Sequence, residues 1–198
     1  MGFMATMPVN AKKSEVNPID HKKIIKVKQT QSDKVMFEEA ARLYESSADT
    51  EIRNKAFQLA LASAEKGNAD AQLLVSLMYE IGEGVGVDVD IAEQWRQKAA
   101  KNGHIDAKGI IALMGIAQDL DKQNIEKFKP YADEAYASGS IFGLASMAFV
   151  IHDGYGVEAN EQEGKVLLLK AMSRPTNELN FFERIYLEDI QSLVLEIE

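Results

Sequence analysis

The chain has 198 residues, 46% of them hydrophobic, no cysteine and a formal net charge of −9 at pH 7. That is enough apolar material for a substantial core, while the absence of cysteine excludes disulfide staples and thiolate zinc sites and suits cytosol and periplasm equally. The charge is polarised: residues 1–34 carry seven lysines against three acids (+4), and the rest carries 15 basic against 28 acidic groups (−13). An acidic body repels a phosphate backbone, so nucleic acid is not the expected partner and a basic or neutral protein is.

Residues 1–33 show no helical period, only a short alternation at Ile24-Ile25-Lys26-Val27-Lys28, and read as a basic, mobile arm. Met1-Gly2-Phe3-Met4-Ala5-Thr6 matches the N-myristoylation pattern, which is too short to assign an anchor. With no positive cluster followed by an apolar core, cytoplasmic is the default localisation, and periplasmic or secreted the alternative if a leader was removed before residue 1. The longest apolar run, Ile141 to Ile151, is about half the roughly 20 residues that a membrane-spanning helix needs, so no span is expected.

From about Asp33, Phe37, Ala40, Ala41 and Tyr44 mark one helix, and Lys55-Ala56-Phe57-Gln58-Leu59 with Ala64-Glu65-Lys66-Gly67 mark a second. Residues 34–67 thus form a degenerate helix pair. Gly67 then opens a register that Gly103 and Gly139 repeat at intervals of 36 residues, each just past a helix end, where glycine takes the left-handed conformation without penalty. A period of this length signals stacked helix pairs, here over 68–103, 104–139 and 140–174. Counted from each glycine, offset 4 holds Ala71, Ala107 and Gly143, offset 7 holds Leu74, Ile110 and Ser146, offset 8 holds Val75, Ile111 and Met147, and offset 11 holds Met78, Met114 and Val150. These trace one face of a first helix. Offset 21 holds Asp88, Asn124 and Asn160, each able to cap a second helix. That helix faces inward through Ala92, Trp95 and Ala99, then Phe128, Tyr131 and Ala135, then Gly164, Leu167 and Ala171. Pro130 falls inside the middle repeat's second helix and predicts a bend or a late start there. After Pro175, Asn177 caps a last helix bearing Phe182, Ile185, Tyr186, Ile190, Leu193, Val194 and Ile197 on one face, as a closing element over 175–198.

Ala71, Leu77-Met78-Tyr79, Gly82-Glu83-Gly84-Val85, Asp88, Ala92, Trp95, Lys98-Ala99-Ala100 and Gly103 form one nearly complete pattern, and Gly154-Tyr155-Gly156-Val157 repeats its loop. The pattern resembles the Sel-1-like repeat family, relatives of the tetratricopeptide repeats. The middle repeat departs from it, with Gln118-Asp119-Leu120 in place of the loop glycines and Gly115 in place of the tyrosine. The resemblance implies an all-α, right-handed α/α superhelical solenoid of about four stacked helix pairs with a C-terminal capping helix. It also implies a non-enzymatic scaffold or adaptor that binds a partner protein on its concave face. An inhibitor or immunity protein neutralising a basic effector is one alternative, and a hydrolase associated with such repeats is another.

Catalysis needs convergent groups, and few are present. His21, His104 and His152 sit at unrelated offsets, and none has a second metal ligand at i+3 or i+4. Gly82-Glu83-Gly84-Val85-Gly86 lacks the strand and the Gly-Lys-Ser/Thr of a phosphate loop, and Asp88-x-Asp90 and Asp119-x-Asp121 lack the rest of a calcium loop. No catalytic residue, metal or cofactor is therefore expected. Trp95, Tyr79 and Tyr131, like Met78, Met114 and Met147, fall in repeat columns and read as core. The partner surface is then expected at first-helix positions outside the core columns: Gln72, Ser76 and Glu80, Lys108 and Ala112, and Phe142 and His152. Phe142 is either an exposed anchor or a residue buried between repeats.

Overall fold

The computed structural model describes residues 32–118 and 125–192, and every regular element among them is helical. The predicted arm is outside the described residues up to position 31, as are the middle repeat's departing loop from Asp119, its cap Asn124, and Leu193, Val194 and Ile197. The chain divides into two compact units between His104 and Ile105.

The first unit contains α1 (Asp33–Ser46), α2 (Thr50–Ala64), α3 (Ala69–Ile81) and α4 (Val89–Lys101). Each starts where a polar side chain satisfies a free N–H of the first turn: Ser32 accepts from Val35, Asp49 from Glu51 and Ile52, Asn68 from Ala71, and Asp88 from Ile91. Consecutive helices pack pairwise, α1 on α2, α2 on α3 and α3 on α4, the packing of an α/α solenoid. In α1 the buried residues are Met36, Ala40, Leu43 and Tyr44, so the packed stripe lies slightly off the expected Phe37, Ala40, Ala41, Tyr44 set. Flanked on two sides, α3 is buried at every position from Ala71 to Tyr79. The loop after α3 is held against the first helix pair by Arg53, whose guanidinium lies 3.7 Å from the centroid of the Tyr44 ring and pairs with Glu83 at 3.1 Å. Burial pushes the Tyr44 phenol well above its usual range, and the Glu83 carboxylate, which accepts its hydrogen bond, adds to the shift against the opposing Arg53.

The second unit contains α5 (Ile105–Gln118), α6 (Ile125–Ser138), α7 (Ile141–Asp153) and α8 (Glu161–Met172), then a single 3-10 turn at Thr176–Glu178 and two short helices, α9 (Phe181–Ile185) and α10 (Leu187–Ser192). Packed against α5, α6 and α8 at once, α7 is buried from Ile141 through Val150. The small-residue column has its sharpest expression here, because a Cβ at Gly143 would overlap the backbone of Ala135 and Tyr136. The 36-residue glycines Gly67, Gly103 and Gly139 all have positive φ, at 98°, 89° and 80°, as their place after helices requires. Asn160 caps α8 by accepting from Glu163.

α6 begins at Ile125 and runs helical through Pro130, so of the bend or late start expected there the late start does not occur. One expectation changes. The C-terminal element is not one helix capped by Asn177: Asn180 caps α9 in a reciprocal capping box with Glu183, and the chain breaks again before α10. The Asn-x-x-Glu spacing signals this start, and it outcompetes Asn177 because both halves of the box are present. Phe182, Tyr186 and Ile190, four apart along the chain, are buried in this closing element together with Leu179 and Glu183.

Candidate functional site

Four of the seven predicted partner-binding residues are interior. In the first unit Gln72 is 4% exposed, and its amide is consumed: Nε2 donates to the Ala64 carbonyl at 3.1 Å and Oε1 accepts from Asn102 at 2.9 Å. Ser76 is fully buried. In the second unit Ala112 is fully buried, and Phe142, 1% exposed, meets Tyr186 edge to face at 5.5 Å between centroids. Ser76, Ala112 and Phe142 are closed off from the folded surface, and Gln72 reaches it only as part of a cleft lining. The spacing argument marks only the strongest apolar face of a helix, whereas α3 and α7 are covered on several sides, so positions outside the columns are buried too. Glu80, Lys108 and His152 are partly exposed. Each is engaged within its own unit: Glu80 with Arg96 at 2.6 Å, Lys108 with Glu134, and His152 Nδ1 with Asp153 at 2.6 Å.

Arg96 was not singled out by any spacing. It is 2% exposed and bridges Glu80 on α3 and Glu93 at 2.8 Å on its own helix. In the third repeat the columns of Glu80 and Arg96 hold His152 and Leu168, so this ion pair is particular to the first full repeat. His104 pairs with Asp70 at 3.1 Å, joining the start of α3 to the chain just past the glycine that ends α4. Among the described residues no group of three or more His, Asp or Glu could hold a metal ion.

What the first unit does present is an open cleft of about 430 Å³, lined by Ala64, Glu65, Gly67, Gln72, Trp95 and Lys98. Here the core reading of Trp95 is corrected. Its helix buries Ala92, Arg96, Ala99 and Ala100, and Trp95 lies at the edge of that packed face, half-buried. The Lys98 ammonium sits 3.8 Å from the ring centroid, a cation–π contact. Tyr79, by contrast, is buried against Phe57 at 5.3 Å, with its phenol shifted upward first by burial and then by Asp88 and Glu65. Met78 and Met147 are core as expected, while Met114 and Tyr131 are only partly buried. The cleft floor spends its amide on the fold, so the chemistry offered to a ligand is an aromatic edge between one cation, Lys98, and one anion, Glu65. A large aromatic among alanines was the available sequence signal.

The Sel1 repeat family matches residues 53–68, 69–104 and 140–173, leaving out the divergent middle stretch. Among solved structures, a Sel1 repeat protein from Oxalobacter formigenes is similar with a TM-score of 0.59 at 19% identity, over 84% of this chain and 47% of that one. A protective antigen present in uropathogenic Escherichia coli strains and displaying an SLR fold is similar with a TM-score of 0.61 at 19% identity, over 88% of this chain and 47% of that one. This chain therefore spans about half the length of either protein. Among curated proteins none matches it. The chain carries Sel1 repeats and has the helix-pair fold of the Sel1 repeat proteins.

Proposed function

We propose that this protein is a non-catalytic interaction module that binds a segment of a partner protein in the groove of its stacked helix pairs, with the Trp95 cleft as an anchor point. Sel1 repeat proteins generally mediate protein–protein interaction, and their fold is typically a scaffold without catalysis of its own. The observation that carries the proposal is the cleft: a half-buried tryptophan at its edge beside Lys98 and Glu65 is the kind of large, rigid side chain that anchors interfaces. The balance of −13 after residue 34 favours a basic or neutral segment.

Trp95 is the only tryptophan in the chain, so its fluorescence reports on the cleft alone. A partner recovered by affinity purification should shift Trp95 emission in a saturable titration, and Trp95→Ala should weaken binding at least tenfold, about 1.4 kcal/mol, while helicity is retained. Binding with no change in emission and no sensitivity to Trp95→Ala would overturn the cleft assignment.

A further inference from the structure

The third repeat breaks the polarity of its own columns. On α8 the core is met by Gly164, Leu167, Leu168 and Ala171, and at about 100° per residue Val166 and Leu169 point to the opposite side. They are 52% and 53% exposed. The same two columns hold Gln94 and Gln97 two repeats earlier and Pro130 and Asp133 in the middle repeat, so the aliphatic pair is not demanded by the repeat fold.

Glu161 and Glu163 occupy the first turn of α8 and Lys170 its last, while Lys165 stands between them on the other flank of the Val166 and Leu169 stripe. On the helix surface Glu163 and Lys170 lie on one flank of the Val166 and Leu169 stripe, two turns apart. Two such helices laid antiparallel about a two-fold axis bring Val166 of each against Leu169 of the other. The axis also sets like flanks together, so Glu163 of each copy meets Lys170 of the other, twice. A parallel two-fold sets opposite flanks together and keeps each residue at its own height, so it forms no Glu163 to Lys170 pair.

We infer that α8 is a self-association surface, on which a second copy of this chain docks its own α8 antiparallel through Val166, Leu169 and reciprocal Glu163 to Lys170 pairs. An isologous contact needs a self-complementary patch, and the acid-to-base polarity of α8 supplies one. A single helix pair falls short of the roughly 1,200 Å² of a standard interface, so the association is weak and concentration-dependent.

The test is sedimentation equilibrium of the full chain across a wide concentration range, with Val166→Glu/Leu169→Glu, Lys170→Glu, and the double reversal Glu163→Lys/Lys170→Glu. Circular dichroism and thermal unfolding confirm that these exposed substitutions leave the fold intact. A reversible dimer is expected. The Val166/Leu169 variant should weaken it at least tenfold, Lys170→Glu should weaken it roughly 3- to 30-fold through two like-charge contacts, and the double reversal should restore it. A chain that is monomeric at every concentration overturns the inference and leaves the patch to a different partner. A dimer indifferent to Val166 and Leu169, or one that the double reversal does not rescue, overturns it as well.

Discussion

The Glu183 carboxylate accepts a hydrogen bond from the Ile141 N–H at 3.0 Å, so the closing element caps a helix that begins 42 residues earlier. α7 needs this, because its own N-cap residue, Ser140, donates its hydroxyl to Asp106 at 2.6 Å and makes no side-chain cap. Glu183 also accepts from the Asn180 N–H at 3.1 Å and from Arg174 at 3.2 Å, and Arg174 in turn donates to the Gly139 carbonyl. Asn180 donates to the other Asp106 oxygen at 2.7 Å. Two buried carboxylates thus tie α9 to the starts of α5 and α7.

Removing this tie should loosen the second unit first. Glu183→Ala discards three accepted hydrogen bonds at a site 3% exposed and should cost about 3 kcal/mol. Amide hydrogen exchange should show lost protection at the first turns of α7 and α9 before α2 to α4 respond. Uniform loss in both units, or none, contradicts the assignment.

The buried Glu80 to Arg96 pair should be asymmetric under mutation. Glu80→Ala strips Arg96 of its α3 partner and is expected to cost about 3 kcal/mol. Replacing both together, with leucine at Arg96 as Leu168 stands in the third repeat, should cost much less, because no buried charge is left behind. Denaturant unfolding of the two variants settles the order, and a double variant as unstable as the single one refutes it.

Phe142→Ala is a stability variant rather than a binding one. The side chain is 1% exposed and packed on Tyr186 and close against Gly109, so truncation should cost about 3–5 kcal/mol. Thermal unfolding should fall sharply; an unchanged midpoint would show that the ring is not in the core.

Alkaline pH should destabilise the first unit. The Tyr44 phenol ionises near pH 10 when unfolded and well above that when folded. Between these values the unfolded chain has lost a proton that the folded chain keeps, so stability is full below about pH 10 and falls as pH rises beyond it. Tyr44→Phe removes this group and should flatten the fall. Unfolding free energies at pH 9 and pH 11 for both proteins provide the check, and identical slopes would contradict it.

Periodicity made the fold legible because each repeated feature acts locally. Gly67, Gly103 and Gly139 end helices by their own backbone conformation, and Asp88 and Asn160 start helices by bonding N–H groups three residues away. The candidate site was less legible. Gln72, Ser76, Ala112 and Phe142 looked like leftover surface because an apolar stripe reports one covered face and cannot report how many neighbours a helix has. Trp95 looked like core because it falls on the inward face of its helix, at the offset where the third repeat buries Leu167, and only the packed structure shows that the indole lies at the edge of that face.

From the sequence by itself came the helix pairs, their period, their caps and the resemblance to Sel-1-like repeats, all of which rest on interactions within a few residues. The tertiary structure alone decided which side chains remain outside: the cleft at Trp95, the aliphatic face of α8, and the carboxylates of Asp106 and Glu183 drawn inward to close helices far away in the chain. Exposure depends on what packs from elsewhere, and that is set by the stacking of whole helices rather than by any local pattern.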